Sequence, residues 1–109
     1  MIKSRGYRIE LDEIEIALST LSSLLEFCIV PIPDVLWENK ICAAVVLKEK
    51  EMLTENDIKK YCKQKIPLYM IPDEVIFMEM LPKTPSGKIN KKAVAEIIQK
   101  RSSHKKNEI

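Results

Sequence analysis

Lys88 is the residue of this chain whose type and setting most suggest chemistry. It closes the run Leu81-Pro82-Lys83-Thr84-Pro85-Ser86-Gly87 and stands just ahead of a helical pattern that opens at Asn90. Two prolines fix φ and remove donors, while Gly87 admits backbone angles closed to other residues. A turn stiffened in this way presents one side chain in a fixed direction, and a presented ammonium suits an anionic target. Ser86-Gly87-Lys88 is nevertheless not a phosphate-cradling P-loop. That motif needs glycine five residues before the Gly-Lys pair and Ser or Thr after it, where this chain has Pro82 and Ile89. A cation at the start of a helix also meets the unfavourable pole of the dipole. Lys88, Lys91 and Lys92 are therefore poorly placed for stability, which points to another use. The competing reading is a solvated surface lysine.

The other reactive residue types offer less. The one histidine, His104, lies in a polar tail, so no Ser/His/Asp relay can be assembled. Glu10, Asp12, Glu13 and Glu15 cluster at a helix start, where they complement the dipole as a solvated face. Cys28, Cys42 and Cys62 are odd in number and lack metal-ligand spacing. They read as buried reduced thiols, which gives an expectation of no metal site and a reducing, cytoplasmic setting. A net charge of +2 is too small to imply a nucleic-acid partner, and the six aromatics form no stacking platform. No apolar run approaches the roughly 18 residues of a membrane span, and Met-Ile-Lys-Ser-Arg lacks the apolar stretch of a signal peptide.

Helices and strands alternate along the 109 residues. Leu11, Ile14, Ala17, Leu18 and Leu21 recur at helical spacing and predict a helix over about 11–22. Residues 27–33 and 41–47 predict two strands paired as a hairpin, with Pro31 and Pro33 suited to an edge. Thr54-Glu55-Asn56-Asp57 resembles a capping box and opens a helix over about 55–65. Ile58, Tyr61, Cys62 and Ile66 would face its core. Glu74 to Glu79 reads as a third long strand. Asn90 is a good N-cap for a last helix with Ala93, Val94, Ile97 and Ile98 inward. The expected fold is α+β, with a small antiparallel or mixed sheet of about three main strands flanked by about three helices. One domain over 1–101 would be followed by a disordered tail over 102–109.

Three segments resemble one family. Lys3-Ser4-Arg5-Gly6-Tyr7-Arg8-Ile9-Glu10-Leu11-Asp12-Glu13-Ile14-Glu15 looks like the motif that opens the C-terminal subdomain of adenylate-forming ligases, the superfamily of acyl-CoA synthetases, peptide-synthetase adenylation domains and luciferases. Leu81 to Ile89 resembles the motif that closes the same subdomain, and Ile66-Pro67-Leu68-Tyr69-Met70-Ile71-Pro72 is similar to its proline-bounded linker. The resemblance covers residues 2 to about 101 in the family's order. It implies ATP-dependent activation of a carboxylate to an acyl-adenylate, rotation of the subdomain, and transfer to a pantetheine thiol of CoA or a carrier protein. Lys88 aligns with the lysine that contacts the carboxylate and the α-phosphate, supported by Ser86 and Gly87. Gly6 aligns with the loop that lines the pantetheine tunnel and Arg8 with a basic residue of that loop, while Tyr7 is read as packing only.

The departures are also informative. The family's large N-terminal domain, with its phosphate loop, adenine pocket and carboxylate pocket, has no counterpart in these residues, nor does its hinge stretch. ATP and Mg²⁺ would be bound mainly by that domain, supplied in cis or in trans. Asp12 stands where glycine is frequent, and Asn90-Lys91 replaces the common Asp-Arg pair. The Gly6-Tyr7-Arg8-Ile9-Glu10 stretch leans toward carrier-protein-loading members, whereas Lys83-Thr84-Pro85-Ser86-Gly87-Lys88 is also common in CoA ligases; between the two, a carrier protein is the expected acceptor. An apolar patch is expected where the partner domain packs. Two other readings stand beside a ligase part inactive by itself. One is a binding or regulatory module that docks a carrier protein or ligase, with Lys91, Lys92, Lys100 and Arg101 as the basic face that would meet an acidic partner. The other is an inactive relic.

Overall fold

A computed structural model describes residues 1–107, with side chains described through residue 101. Strands β3 (Leu24–Asp34) and β4 (Glu38–Leu47) form the predicted hairpin, antiparallel in a register that sets Pro31 opposite Ile41. β3 is an edge strand, which tolerates the donors missing at Pro31 and Pro33. The Asp34 carboxylate closes the connection by accepting from the amides of Leu36 and Trp37 at 3.0 and 2.9 Å. A third strand, β5 (Glu74–Phe77), joins the free edge of β4 in parallel, so the sheet is mixed with order β3-β4-β5. β5 is four residues long and stops short of the predicted Glu79. At Met78 the last tie to β4 is one bond to the Val45 carbonyl, 2.9 Å.

A parallel neighbour needs a crossover, and helix α2 (Glu55–Lys63) supplies it between β4 and β5. It starts on the predicted capping box: the Thr54 hydroxyl accepts from the Asp57 amide at 3.1 Å, and the Asp57 carboxylate accepts from the Thr54 amide at 2.9 Å. Helix α1 (Leu11–Ser19) ends before residue 22 because Thr20 turns back, its hydroxyl donating to the Ala17 carbonyl at 2.9 Å.

Both faces of the sheet are covered. Ile29, Ala43 and Val45 point toward α1 and α2, in a core shared with Ile14, Leu18 and Ile58. Their neighbours Cys28, Val30, Cys42 and Ala44 point the other way, against Leu81 and against Val94 and Ile98 of helix α3 (Lys91–Asn107). Successive strand residues alternate faces, so two covered faces explain why Ile41–Val46 is apolar without alternation. Asn90 caps α3 by accepting from the Ala93 amide at 3.0 Å. Asn90→Ala should lower stability by about 0.5–2 kcal/mol in a denaturant titration.

Two further sequence expectations change. A short hairpin, β1 (Ile2–Ser4) with β2 (Tyr7–Ile9), precedes α1 and was not foreseen. The backbone of α3 also continues to Asn107, through positions expected to be a structureless tail; residues 108 and 109 lie outside the described residues.

The three thiols are buried and free, as expected. Burial pushes Cys28 up to about 11 and Cys42 up to about 12, and it raises Cys62 as well. Thiolate, the reactive form, is therefore scarce at neutral pH. A disulfide reagent at pH 8 should modify none of the three in the folded chain and all three in denaturant. Rapid native labelling would contradict the burial.

Candidate functional site

Lys88 lies on the returning arm of a tight hairpin, one residue from its base, rather than in a simple loop. Lys83 and Ile89 form an isolated antiparallel bridge across its base. The Thr84 amide donates to the Lys88 carbonyl at 2.7 Å, and the Thr84 hydroxyl accepts from the Lys88 amide at 3.2 Å. Gly87 returns its amide to the Thr84 carbonyl at 2.9 Å, from a φ of 90° that side chains other than glycine's disfavour. The Ser86 and Thr84 hydroxyls share a hydrogen bond of 2.9 Å. Below the bridge, Asn90 donates to the Pro82 carbonyl at 2.8 Å, and Leu81 is buried against the α3 face of the sheet. The backbone of Lys88 is thus held on both sides. Its side chain is exposed, and among the described residues its ammonium has no hydrogen bond or ion pair.

The neighbouring cations are engaged differently. Lys83 pairs with Glu26 of β3, and Lys91 pairs with Glu15 of α1 at 2.9 Å. Lys91 thereby ties α3 to α1 and is withdrawn from the basic face considered above, which leaves Lys92, Lys100 and Arg101 exposed.

Gly6 occupies the two-residue turn between β1 and β2. Arg5 and Gly6 have φ of 53° and 85°, the left-handed pair that a tight hairpin turn requires. A Cβ on Gly6 would meet nothing within 4 Å, so the space over this turn is open on the chain's own side. The turn is clamped from below. The Arg5 guanidinium lies 3.9 Å from the centre of the Trp37 ring and pairs with the Asp73 carboxylate, and the Arg5 amide donates to the Trp37 carbonyl at 3.1 Å. Asp73 in turn accepts from the Ile41 amide at 2.8 Å. Tyr7 stacks on Tyr69 of the proline-bounded linker, centroids 4.4 Å apart, which fits its expected packing role. Arg8 is exposed on β2, and its Nε donates to the Met1 sulfur at 2.8 Å.

The structure does not bring Lys88 and Gly6 together. Gly6 sits over the turn end of the β3–β4 hairpin, beside Trp37 and Asn39. The Lys88 hairpin is rooted at Glu26, opposite Val46, at the other end of the same strands. The two loops therefore belong to opposite ends of one sheet.

Sequence reasoning missed the supports of both loops. Glu26 carries a signal in hindsight, as the one charge within Leu24-Leu25-Glu26-Phe27-Cys28. Arg5, Trp37 and Asp73 carry none, because 68 positions separate Arg5 from its carboxylate.

Comparison with known proteins bears on what these loops are. The model of the AMP-binding enzyme C-terminal domain matches residues 13–88. The chain belongs to that family. Probable acyl-activating enzyme 4 of Arabidopsis thaliana is 42% identical over 87 residues, which are 79% of this chain and 16% of that protein. The 2-methylpropanoate–CoA ligase of Humulus lupulus is 40% identical over 93 residues, 84% of this chain and 17% of the ligase. Among solved structures, a Mycobacterium tuberculosis fatty acyl CoA synthetase superposes with a TM-score of 0.80 at 33% identity, over 88% of this chain and 19% of its own. The chain thus spans about one sixth of the curated relatives it matches. The family match ends on Lys88 itself; Gly6 and Arg8 lie ahead of its first residue.

Proposed function

We propose that this chain supplies the adenylation lysine and the thiol-path loop to a large adenylate-forming domain, as part of an acyl-CoA ligase. The observation that carries the reading is the Lys88 hairpin: an exposed, unpaired ammonium on a backbone tied at Thr84, Ile89 and Asn90, within a chain of this family. A carboxylate and a triphosphate repel as they approach. An ammonium already in position lowers that repulsion as charge builds in transit, without reorganisation at the moment of reaction. Lys88 would contact the carboxylate and the α-phosphate while pyrophosphate departs. The subdomain then turns end over end, and the Gly6 turn lines the path of the pantetheine thiol that displaces AMP, with Arg8 beside it.

ATP and Mg²⁺ would be held mainly by the partner domain, with Lys88 reaching the α-phosphate from this chain. Among the described residues no group of three His, Cys, Asp or Glu could hold a metal ion. Relatives named as CoA ligases favour CoA over a carrier protein as acceptor. A groove of about 540 Å³ lined by Leu47, Met52, Leu53 and Phe77, with Glu51 and Thr54 at its polar side, supports an expected packing surface for the adenylation domain. Three buried reduced thiols suit a reducing compartment such as the cytoplasm. Among the described residues no helix is long and apolar enough to cross a membrane.

Joining the chain to the adenylation domain of a relative tests the reading. Carboxylate-dependent ATP–pyrophosphate exchange should rise well above that of the domain alone. No gain, with a folded fusion, would count against it; binding to a carrier protein or ligase without any exchange would favour the regulatory module.

A further inference from the structure

We infer that Glu26 and Lys83 are positioning residues for Lys88, acting as a staple between the sheet and the base of the hairpin that carries it. The inference rests on the adenylation reading of Lys88. Glu26 stands at the start of β3, where the register shifts between Leu24 and Glu26. Such a bulge re-aims a side chain, and here the carboxylate reaches the loop over the α3 face of the sheet. One oxygen pairs with the Lys83 ammonium; the other accepts from the Leu81 amide at 3.4 Å. Lys83 also donates to the Leu81 carbonyl at 3.3 Å. The Glu26 side chain is 22% exposed and the Lys83 side chain 39%, so the pair is partly open to water and its hold comes from one carboxylate engaging both the Lys83 ammonium and the Leu81 amide.

The staple lies next to the backbone bridge. Lys83 faces Ile89 in that bridge, and Ile89 follows Lys88 directly. Fixing Lys83 to the sheet therefore fixes the strand that delivers Lys88. An ammonium on a four-carbon stem gains nothing from a stiff turn unless the turn itself is fixed to the body that docks. The Lys83 ammonium is also the strongest influence on Glu26, whose carboxyl it holds below the usual carboxylate value of 4.5. The staple is therefore intact at neutral pH. It weakens as pH falls from that ordinary value through the lower native one.

A placement error is costly only in the step that needs placement. In the chain joined to an adenylation domain, Glu26→Gln and Lys83→Ala should each slow ATP–pyrophosphate exchange roughly 3- to 10-fold, while Lys83→Arg stays near wild type. Thioester formation from preformed acyl-adenylate should not change. In the chain alone, amide exchange at Thr84 and Gly87 should quicken in Glu26→Gln, with Ala43 and Val45 in the core unaltered. Unchanged ATP–pyrophosphate exchange in both variants, with Lys88→Ala still inactive, would overturn the staple and leave the adenylation reading standing. Equal loss in both half-reactions with faster core amide exchange would reduce the pair to a structural role. Indifference to Lys88→Ala would overturn both.

Discussion

Lys88→Ala should reduce carboxylate-dependent ATP–pyrophosphate exchange by about 10²–10³-fold in the joined enzyme, the usual loss when one preorganised electrostatic contact to a developing charge is removed. The protein should remain as stable as before, because the Lys88 side chain is exposed and pairs with nothing among the described residues. Lys88→Arg keeps the charge but replaces a compact ammonium with a longer planar fork. It should recover part of the rate and not all of it. A solvated surface lysine would show none of this, and equal rates for wild type and Lys88→Ala in a titrated exchange assay would establish that plainer reading.

The second large effect is on stability. Leu81 is 2% exposed and packs with Val94 and Ile98 against the sheet, at the point where the chain leaves the core to form the Lys88 hairpin. Leu81→Ala removes that packing and leaves a cavity beneath the hairpin, costing about 2–5 kcal/mol of folding free energy. Small domains hold only about 5–15 kcal/mol in total, so the midpoint in urea should fall sharply with the slope unchanged. Leu81→Met, which conserves volume, should cost less than about 1.5 kcal/mol. A midpoint shift as small in Leu81→Ala as in Leu81→Met would mean that Leu81 is not the anchor.

The parts of the fold with a strong local signal were legible from sequence. Thr54 and Asp57 announce α2, Asn90 announces α3, and the apolar runs around Cys28 and Ala44 announce the central hairpin. Position in the sheet was not legible. The parallel pairing of β4 with β5 is a tertiary choice, made by the α2 crossover and by burial on both faces. The β1–β2 hairpin escaped notice because each strand has three residues and Arg5-Gly6 is not the Asn-Gly or Asp-Gly pair that marks such a turn. Its stability comes from Trp37, Asn39 and Asp73, far away in sequence. The site follows the same division. The residues proposed to present chemistry, Lys88 and Gly6, stand in short motifs, the first with Pro85 and Gly87 just before it. Those that hold them, Glu26 for the first and Trp37 and Asp73 for the second, are brought close only by the fold.

The separation of the two loops at opposite ends of the sheet leads to the most direct test. In the joined enzyme carrying Lys88→Ala, single-turnover thioester formation should be measured from acyl-adenylate supplied ready-made. The expected result is a rate close to wild type beside an exchange rate lowered by about 10²–10³-fold. A thiol-transfer rate that falls in step with exchange would contradict the division of labour between the Lys88 hairpin and the Gly6 turn.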